Sequence, residues 1–225
     1  MTALIAIPTN SPLPPWQPAT WADYQRSRDA MDEGAGRLFF NEGYLWVDMG
    51  GEGINHSRFN DLVTLVLFLW FSQKLPQQTF DSMSGCLLEK TDCQAASPDK
   101  VLYIGGDLPR WREKESRAID LEKWRVPDLV AEISDTTLAT DLDEKKQLYT
   151  KLAIPEYWVV DVQGARVLAF RLNTLRRYQE IDVSIALPGL PIDLLTQTLK
   201  QLAQGMNNSE AAQWFGQRLR KGENA

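Results

Sequence analysis

Residues 125–161 read RVPDLVAEISDTTLATDLDEKKQLYTKLAIPEYWVVD, and the fold follows from this stretch. Two apolar runs rich in β-branched and aromatic residues, Val126–Ile133 and Pro155–Asp161, have the composition of buried strands. Between them, Asp141–Leu152 has the apolar periodicity of a helix. The stretch therefore predicts a strand, a loop, a helix and a second strand in succession.

Two carboxylates interrupt the first predicted strand, and a carboxylate inside a strand needs a partner, a metal or a proton to transfer. Asp128 and Glu132 share one face, because side chains alternate along a strand. They are four residues apart, roughly 13 Å at about 3.3 Å per residue, which is too far for both to bind one ion. Glu132 therefore needs a second acid from a neighbouring strand. For Asp128 we favour a structural or supporting role.

The segment Ser97–Ile104 offers that second acid. It predicts another strand, and Pro98 suits the first position of a strand. Adjacent strands lie about 4.8 Å apart, so Asp99 on this strand and Glu132 on the next could bind the same ion. The alternative is that Asp99 is a turn residue at the end of a strand.

A lysine interrupts the apolar face of the predicted helix, which Thr140 is predicted to cap. The apolar members of that face are Leu138, Leu142, Tyr149 and Leu152. Lys145 lies on this face, whereas helical phase turns Lys146 towards solvent. A lysine on a core-facing stripe is unfavourable unless it meets a carboxylate or serves a site. Lys145 is therefore predicted to face Glu132, either as a catalytic group or simply as its ion-pair partner.

The rest of the chain supplies further elements of an α/β fold around a central mixed sheet. Helices are predicted at Trp21–Met31, His56–Gln73, Ile192–Gln204 and Ser209–Arg220, the last two at the periphery. Strands are predicted at Arg37–Phe40, Tyr44–Asp48, Phe80–Glu89, Val167–Arg171 and Arg176–Gln179. Three irregular segments are predicted. Gly50–Gly53 is predicted to be a flexible link and Lys90–Ala96 a polar turn. Gly105–Trp124 is predicted to be a charged loop that could cover the site.

A narrow polar line runs along the second predicted helix, because His56, Asn60 and Thr64 recur at intervals of four residues. The simpler interpretation, which we favour, is a helix cap and a solvated edge. The functional interpretation is that His56 and Asn60 support the same site as Glu132.

Length and composition favour one domain with short extensions. The chain has 225 residues, of which 44% are apolar, enough for a sizeable core. Residues 1–20, rich in proline, are expected to be disordered or extended, residues 21–205 to form the domain, and residues 206–225 a helical extension. The net charge of −6 argues against general coating of nucleic acid, but it does not exclude a local basic groove.

Targeting signals and cysteine usage predict a cytoplasmic protein. The longest apolar run, Leu62–Phe71, is too short to span a bilayer, and the N-terminal residues lack the pattern of a signal peptide. Cys86 and Cys93 have no metal-like spacing and are expected to be reduced. No membrane partner is expected.

Several of these segments together resemble a known family. They are PDKVLYI at 98–104, PDLVAEIS at 127–134, DLDEKKQLY at 141–149, PEYWVVD at 155–161 and LPGLPIDL at 187–194. Their combination resembles the Uma-type restriction endonuclease family of the PD-(D/E)XK nuclease-like superfamily, over roughly residues 21–200. The resemblance implies a restriction-endonuclease-like core, a mixed sheet flanked by helices.

The family's site residues match this chain one by one. The first acid matches Asp99 and the second matches Glu132. The family's lysine does not lie two residues after the second acid, where this chain has Ser134, but matches Lys145, displaced onto the following helix. A histidine that often opens the first long helix matches His56. The chain departs from the family at the turn after Glu132 and at the residues before the PEYW motif, but neither departure removes a chemical group.

The resemblance implies an endonuclease that hydrolyses phosphodiester bonds in DNA with Mg²⁺, for which Mn²⁺ is a plausible substitute. Asp99 and Glu132 would bind the metal, and Lys145 would position the attacking water and stabilise charge on the phosphate. His56 or Asn60 would orient a water or the phosphate. A homodimer would follow if the substrate is a duplex, because duplex cleavage needs two active sites. The alternatives are a nuclease fold kept as a binding or regulatory module, and a nuclease for RNA or branched DNA.

Overall fold

The computed structural model describes residues 16–31 and 36–221, and only the backbone of Lys221, so residues 1–15 of the predicted tail lie outside the described residues. The elements are β1 (Gln17–Pro18), α1 (Trp21–Ala30), β2 (Arg37–Asn41), β3 (Tyr44–Asp48), α2 (Ile54–Lys74), β4 (Phe80–Met83), β5 (Leu88–Lys90), β6 (Gln94–Ala96), β7 (Lys100–Ile104), β8 (Ile119–Asp120), β9 (Leu129–Ser134), α3 (Leu138–Leu142), α4 (Glu144–Lys151), β10 (Glu156–Asp161), β11 (Arg166–Leu172), β12 (Tyr178–Glu180), α5 (Ile192–Ala203) and α6 (Asn208–Lys221).

Two mixed sheets form the described fold. One has the strand order β12-β11-β10-β9-β7-β4, so the strands predicted at Ser97–Ile104, Val126–Ile133 and Pro155–Asp161 are neighbours in it. In this sheet β9 pairs in parallel with β10 and antiparallel with β7. The other sheet has the order β1-β3-β2-β6-β5-β8. The prediction of an α/β fold around a central mixed sheet is confirmed, and the hairpin β2–β3 belongs to the second sheet, where β2 pairs with β6.

The crossover between the parallel strands β9 and β10 is made by two short helices, not by one. Parallel neighbours need a crossover connection, which is commonly helical. The predicted helix Asp141–Leu152 is interrupted at Asp143, whose φ of −118° and ψ of −86° are not helical. Thr137 and not Thr140 precedes the first helix. Aspartate has a low helix propensity, because its side chain forms hydrogen bonds with nearby groups. The carboxylate of Asp143 accepts a hydrogen bond from the side-chain amide of Gln147.

The predicted strand Phe80–Glu89 is also divided, and its halves belong to different sheets. The chain turns at Gly85, which has a φ of +65°, a conformation that glycine adopts without strain. β4 then pairs with β7, and β5 pairs with β6. The predicted polar turn Lys90–Ala96 shrinks to a tight turn around Asp92, and Gln94–Ala96 forms a strand.

The helices α2, α5 and α6 cover one face of the sheet that contains β9. Their buried side chains form the larger apolar core, with Trp70, Trp158 and Leu199 among its members. The prediction that the C-terminal helix is peripheral is wrong, because Phe215 and Leu219 are buried in this core. No helix in the described ranges is both long and apolar enough to cross a membrane.

A second apolar cluster joins the two sheets. Phe39 and Trp46 of the β2–β3 hairpin pack there with Val130 of β9, Tyr149 of α4 and Tyr157 of β10. Because this cluster ends beside Asp99 and Glu132, it places the hairpin against the edge of the predicted site.

Candidate active site

A cavity of about 240 Å³ opens where the two sheets meet. Its walls come from the end of β9, the loop after it, the end of β3, the glycine-rich segment before α2 and the first turn of α2. The lining side chains include Arg37, Asp48, Glu52, His56 and Asp135. The cavity lies at the carboxyl end of a central strand, a usual position for a functional site in α/β proteins.

Asp99 is buried beside this cavity, directly before β7. Its Oδ2 accepts a hydrogen bond of 2.7 Å from the backbone N–H of Ile133, which fixes the carboxylate against β9. Its Oδ1 contacts Nη1 of Arg37 and lies 3.2 Å from Nε2 of His56. Burial opposes ionisation, but His56 and Arg37 outweigh it and lower the pKa of Asp99 to about 2. Asp99 is therefore an ionised, oriented carboxylate.

Glu132 lies in the middle of β9 and is fully buried. Its Oε2 accepts a hydrogen bond of 2.9 Å from Nζ of Lys145, and its Oε1 accepts one from the hydroxyl of Tyr149. Burial raises the pKa of Glu132 to about 8, although the ammonium of Lys145 acts in the opposite direction. A divalent cation would favour the ionised form of this carboxylate.

Lys145 is buried and held by two carboxylates. The first is Glu132, and the second is Asp141, whose Oδ1 lies 2.8 Å from Nζ of Lys145. Burial lowers the pKa of Lys145, but the two carboxylates outweigh it and the net shift is upward. Asp141 in turn accepts hydrogen bonds from the hydroxyls of Ser134 and Thr137, which fix its position. Lys145 therefore faces Glu132, as helical phase predicts, and it remains a cation.

Lys146 differs from its sequence prediction. It is half-buried instead of mainly exposed, with its Nζ 3.5 Å from the centre of the Phe170 ring. The prediction failed because Phe170 of β11 packs against the Lys146 side chain. Lys146 nevertheless points away from Glu132, so the two adjacent lysines have different surroundings.

Arg37 is a site residue that the sequence did not reveal. Its Nη1 touches Asp99 and lies 3.9 Å from Oε2 of Glu132, and its Nη2 lies 3.2 Å from Asp48. Asp99 and Glu132 therefore converge on one nitrogen atom. Local sequence gives no signal for this role, because an arginine at the start of a hairpin strand is unremarkable until the second sheet is placed.

His56 and Glu52 complete a set of metal-ligand atoms with Asp99. One ligand atom from each of these three residues lies within 4.8 Å of the other two. His56 is buried, with Nδ1 3.4 Å from Glu52, and neither ring nitrogen makes a well-directed hydrogen bond to another described residue. Burial lowers the pKa of His56, but its contact with Asp99 reverses this and raises it overall. Glu52 was missed because its glycine-rich surroundings suggested a flexible link.

The remaining predicted residues lie in different places. Asn60 is buried on α2, and its Oδ1 has no hydrogen-bond partner among the described residues, so a solvated edge is wrong for both His56 and Asn60. Thr64 is exposed and accepts a hydrogen bond from the buried ammonium of Lys100. Asp128 lies outside the cluster, at the opposite end of β9, where it accepts a 2.7 Å hydrogen bond from the backbone of β7.

Carboxylate oxygens suit Mg²⁺ and Mn²⁺, and an imidazole nitrogen adds affinity for Mn²⁺ and other transition metals. The donor set of Asp99, Glu52 and His56 therefore fits a divalent cation. Lys145 and Glu132 stand beside the same carboxylate cluster, joined to it through Arg37. The arrangement can hold a cation, an ionised acid and a buried ammonium around one cavity.

Comparisons with known proteins identify a family and a similar fold. A family model, "Uma2: Putative restriction endonuclease", matches residues 21–203. A solved structure described as a "putative nuclease belonging to DUF820 from Anabaena variabilis ATCC 29413" has a similar fold, with a TM-score of 0.54 and 16% sequence identity over 88% of this chain and 99% of that chain. No curated protein matches the sequence. Because the family model spans α1 to α5 and contains the whole cluster, the chain belongs to the Uma2 family, described as "Putative restriction endonuclease".

Proposed function

We propose that this protein is an endonuclease that uses a divalent metal to hydrolyse phosphodiester bonds in DNA. The observation that carries the proposal is the convergence of Asp99, Glu132 and Lys145 beside a cavity in a chain of a nuclease family. Both acids and the lysine are buried and oriented by neighbours, which is how catalytic groups are kept in place.

The metal would be held by Asp99 and Glu132, with His56 and Glu52 as further ligands on the cavity side. When bound, a divalent ion supplies a polarised phosphate oxygen and a more acidic water. Mg²⁺ is the proposed ion and Mn²⁺ its substitute, which the imidazole of His56 favours.

The protein's own groups have separate tasks in this proposal. Lys145 orients the attacking water and stabilises the negative charge that develops on the phosphate. Tyr149 fixes the orientation of Glu132 through its hydrogen bond. Asp141 keeps the ammonium of Lys145 in place. Asn60 is proposed to support His56 from the next turn of α2, and Asp128 to hold β9 against β7.

The experiment is a cleavage assay on circular duplex, single-stranded and branched DNA and on RNA, each with Mg²⁺, Mn²⁺ or a chelator. Wild type should cleave duplex DNA only with a metal, and Lys145→Ala should lose the activity. Lys146→Ala is the matched control and should retain most of it.

Other results would support the alternatives. If only RNA or branched DNA is cleaved, the proposed substrate changes from duplex DNA to that nucleic acid, and the proposed mechanism is unchanged. Tight binding to DNA without cleavage of any substrate would indicate a binding or regulatory module instead. A homodimer is proposed for the duplex substrate, and sedimentation of the protein with a duplex oligonucleotide would test it.

A further inference from the structure

Arg37 occupies the centre of the carboxylate cluster. It begins β2 and its side chain is mostly buried, with 18% of its area exposed. Three carboxylates surround it: Asp99 in direct contact, Asp48 at 3.2 Å and Glu132 at 3.9 Å. Arg37 is therefore the arginine that links these three acids in the described part of the chain.

Two of these carboxylates, Asp99 and Glu132, are the proposed metal ligands. A guanidinium and a divalent cation are both positive and compete for the same oxygen atoms at short range. The third carboxylate, Asp48, is not part of the ligand set. It lines the cavity and accepts a hydrogen bond of 3.0 Å from the backbone N–H of Gly50.

Space for a second position of Arg37 exists on the cavity side. The cavity is lined by the segment 50–53, and a Cβ built on Gly51 would have no atom within 4 Å. Asp48 is fixed to this segment, so a guanidinium that keeps its bond to Asp48 could turn into the cavity without losing its counter-charge.

We propose that Arg37 is a phosphate-binding residue, held by Asp99 and Glu132 until a divalent cation takes these carboxylates and then turned, still bound to Asp48, towards the substrate phosphate. The inference rests on the proposed nuclease function and adds a residue to it. The planar guanidinium matches two phosphate oxygens, which a point charge such as an ammonium does not. Arg37 would thus couple cation binding to substrate binding.

Two equilibrium measurements test this proposal without relying on turnover. Calorimetric titration gives the affinity for Mn²⁺ of wild type, Arg37→Gln and Arg37→Lys. Fluorescence anisotropy of a labelled single-stranded oligonucleotide, with Ca²⁺ added and with chelator, gives the affinity for phosphodiester.

Opposite shifts are expected for Arg37→Gln. Removal of the competing cation should tighten Mn²⁺ binding by about tenfold, within the usual range of coupling between two binding events. Loss of the phosphate contact should weaken oligonucleotide binding in Ca²⁺ by about tenfold as well. Arg37→Lys keeps the charge and should leave Mn²⁺ affinity within about threefold of wild type while losing the paired phosphate contact.

A purely structural arginine would give a different pattern, because its loss would weaken both affinities together. Unchanged or weaker Mn²⁺ binding by Arg37→Gln overturns the competition, and unchanged oligonucleotide binding overturns the phosphate contact. Should Arg37→Gln fail to fold, Arg37→Lys decides, since oligonucleotide affinity equal to that of wild type would overturn the proposal.

The control is Arg166→Gln, which removes the same charge from an ion pair with Asp161 outside this cluster, and both of its affinities should match wild type. If wild type binds Mn²⁺ but no oligonucleotide of DNA or RNA, the nuclease function fails, whereas the competition between Arg37 and the metal is still measured by the calorimetry.

Discussion

Glu132 is a fully buried acid whose partners come from a helix and a hairpin distant from it in sequence. Lys145, Tyr149 and Arg37 all direct polar hydrogens at it or lie within ion-pair range. A buried ion pair is weak evidence for stability, because the free energy lost on desolvation can exceed the Coulomb attraction. Removal of one partner, however, lowers the free energy of unfolding strongly, because the other partner stays buried without its counter-charge. This asymmetry makes single substitutions informative.

Lys145→Ala should destabilise the metal-free protein by about 3 kcal/mol or more, because the buried Asp141 loses its cation and the buried Glu132 loses a hydrogen-bond donor. Lys146→Ala should cost about 1 kcal/mol or less, since it loses only packing and a cation–π contact with Phe170. Urea denaturation of both variants in chelator gives the two values. Equal losses would mean that Lys145 is not the buried partner of Glu132.

Asp99 should make the metal-free protein sensitive to acid. Its pKa is about 2 in the folded chain against an ordinary value of 3.8, so its stabilising contribution is complete above pH 3.8 and disappears as the pH falls through about 2. That contribution is about 2 kcal/mol at neutral pH. Asp99→Asn should flatten the decline in the free energy of unfolding between pH 4 and 2, measured by urea denaturation. An identical decline in both proteins would contradict the assigned surroundings of Asp99.

At the scale of elements, sequence periodicity predicted the strands and helices whose pattern lies within their own residues. The central strands and α2 follow from apolar runs and helical spacing, and Asp99, Glu132 and Lys145 follow from polar residues that break these patterns. The division of the helix at Asp143 and the strand Gln94–Ala96 were missed, because a backbone break and a short pairing strand have little local signal. Arg37 and Glu52 were missed because only tertiary contacts bring them to the cluster.

The helix α6 provides a test at this scale. Phe215 is fully buried against the larger core, so Phe215→Ala should lower the free energy of unfolding by about 3–5 kcal/mol. Gln217→Ala, two residues along the same helix and exposed, should change it by less than about 0.5 kcal/mol. Chemical denaturation compares the pair. A small loss for Phe215→Ala would mean that α6 is dispensable to the core.

At the scale of the whole molecule, the two sheets share the cluster that contains Phe39, and the candidate site lies at its rim. The Phe39 ring lies 4.4 Å from Nζ of Lys145, measured to the ring centre. The sheets are therefore coupled by the same side chains that surround the site. A substitution at this junction should affect global stability and metal affinity together.

Phe39→Ala should lower the free energy of unfolding by about 3–5 kcal/mol through the cavity that it leaves. It should also weaken Mn²⁺ binding, because the β2–β3 hairpin leads into the segment that bears Glu52, one of the proposed metal ligands. Thermal denaturation and calorimetry measure the two effects. Val47→Ala, partly exposed on the same hairpin, is the control and should change both little. If Phe39→Ala is destabilised but binds Mn²⁺ with the affinity of wild type, packing between the sheets does not affect the site, and this prediction is wrong.

The spread of the cluster along the chain has a kinetic consequence. Its members run from Arg37 to Lys145 and come from segments that touch only when both sheets have formed and docked. Contacts between positions so distant in sequence form slowly, since long loops must close before the contacts stabilise them. In a refolding experiment, the capacity to bind Mn²⁺ should therefore return after most of the helical circular dichroism. Metal binding would then mark a late step of folding, and a nascent chain would lack the complete candidate site until synthesis had passed α4.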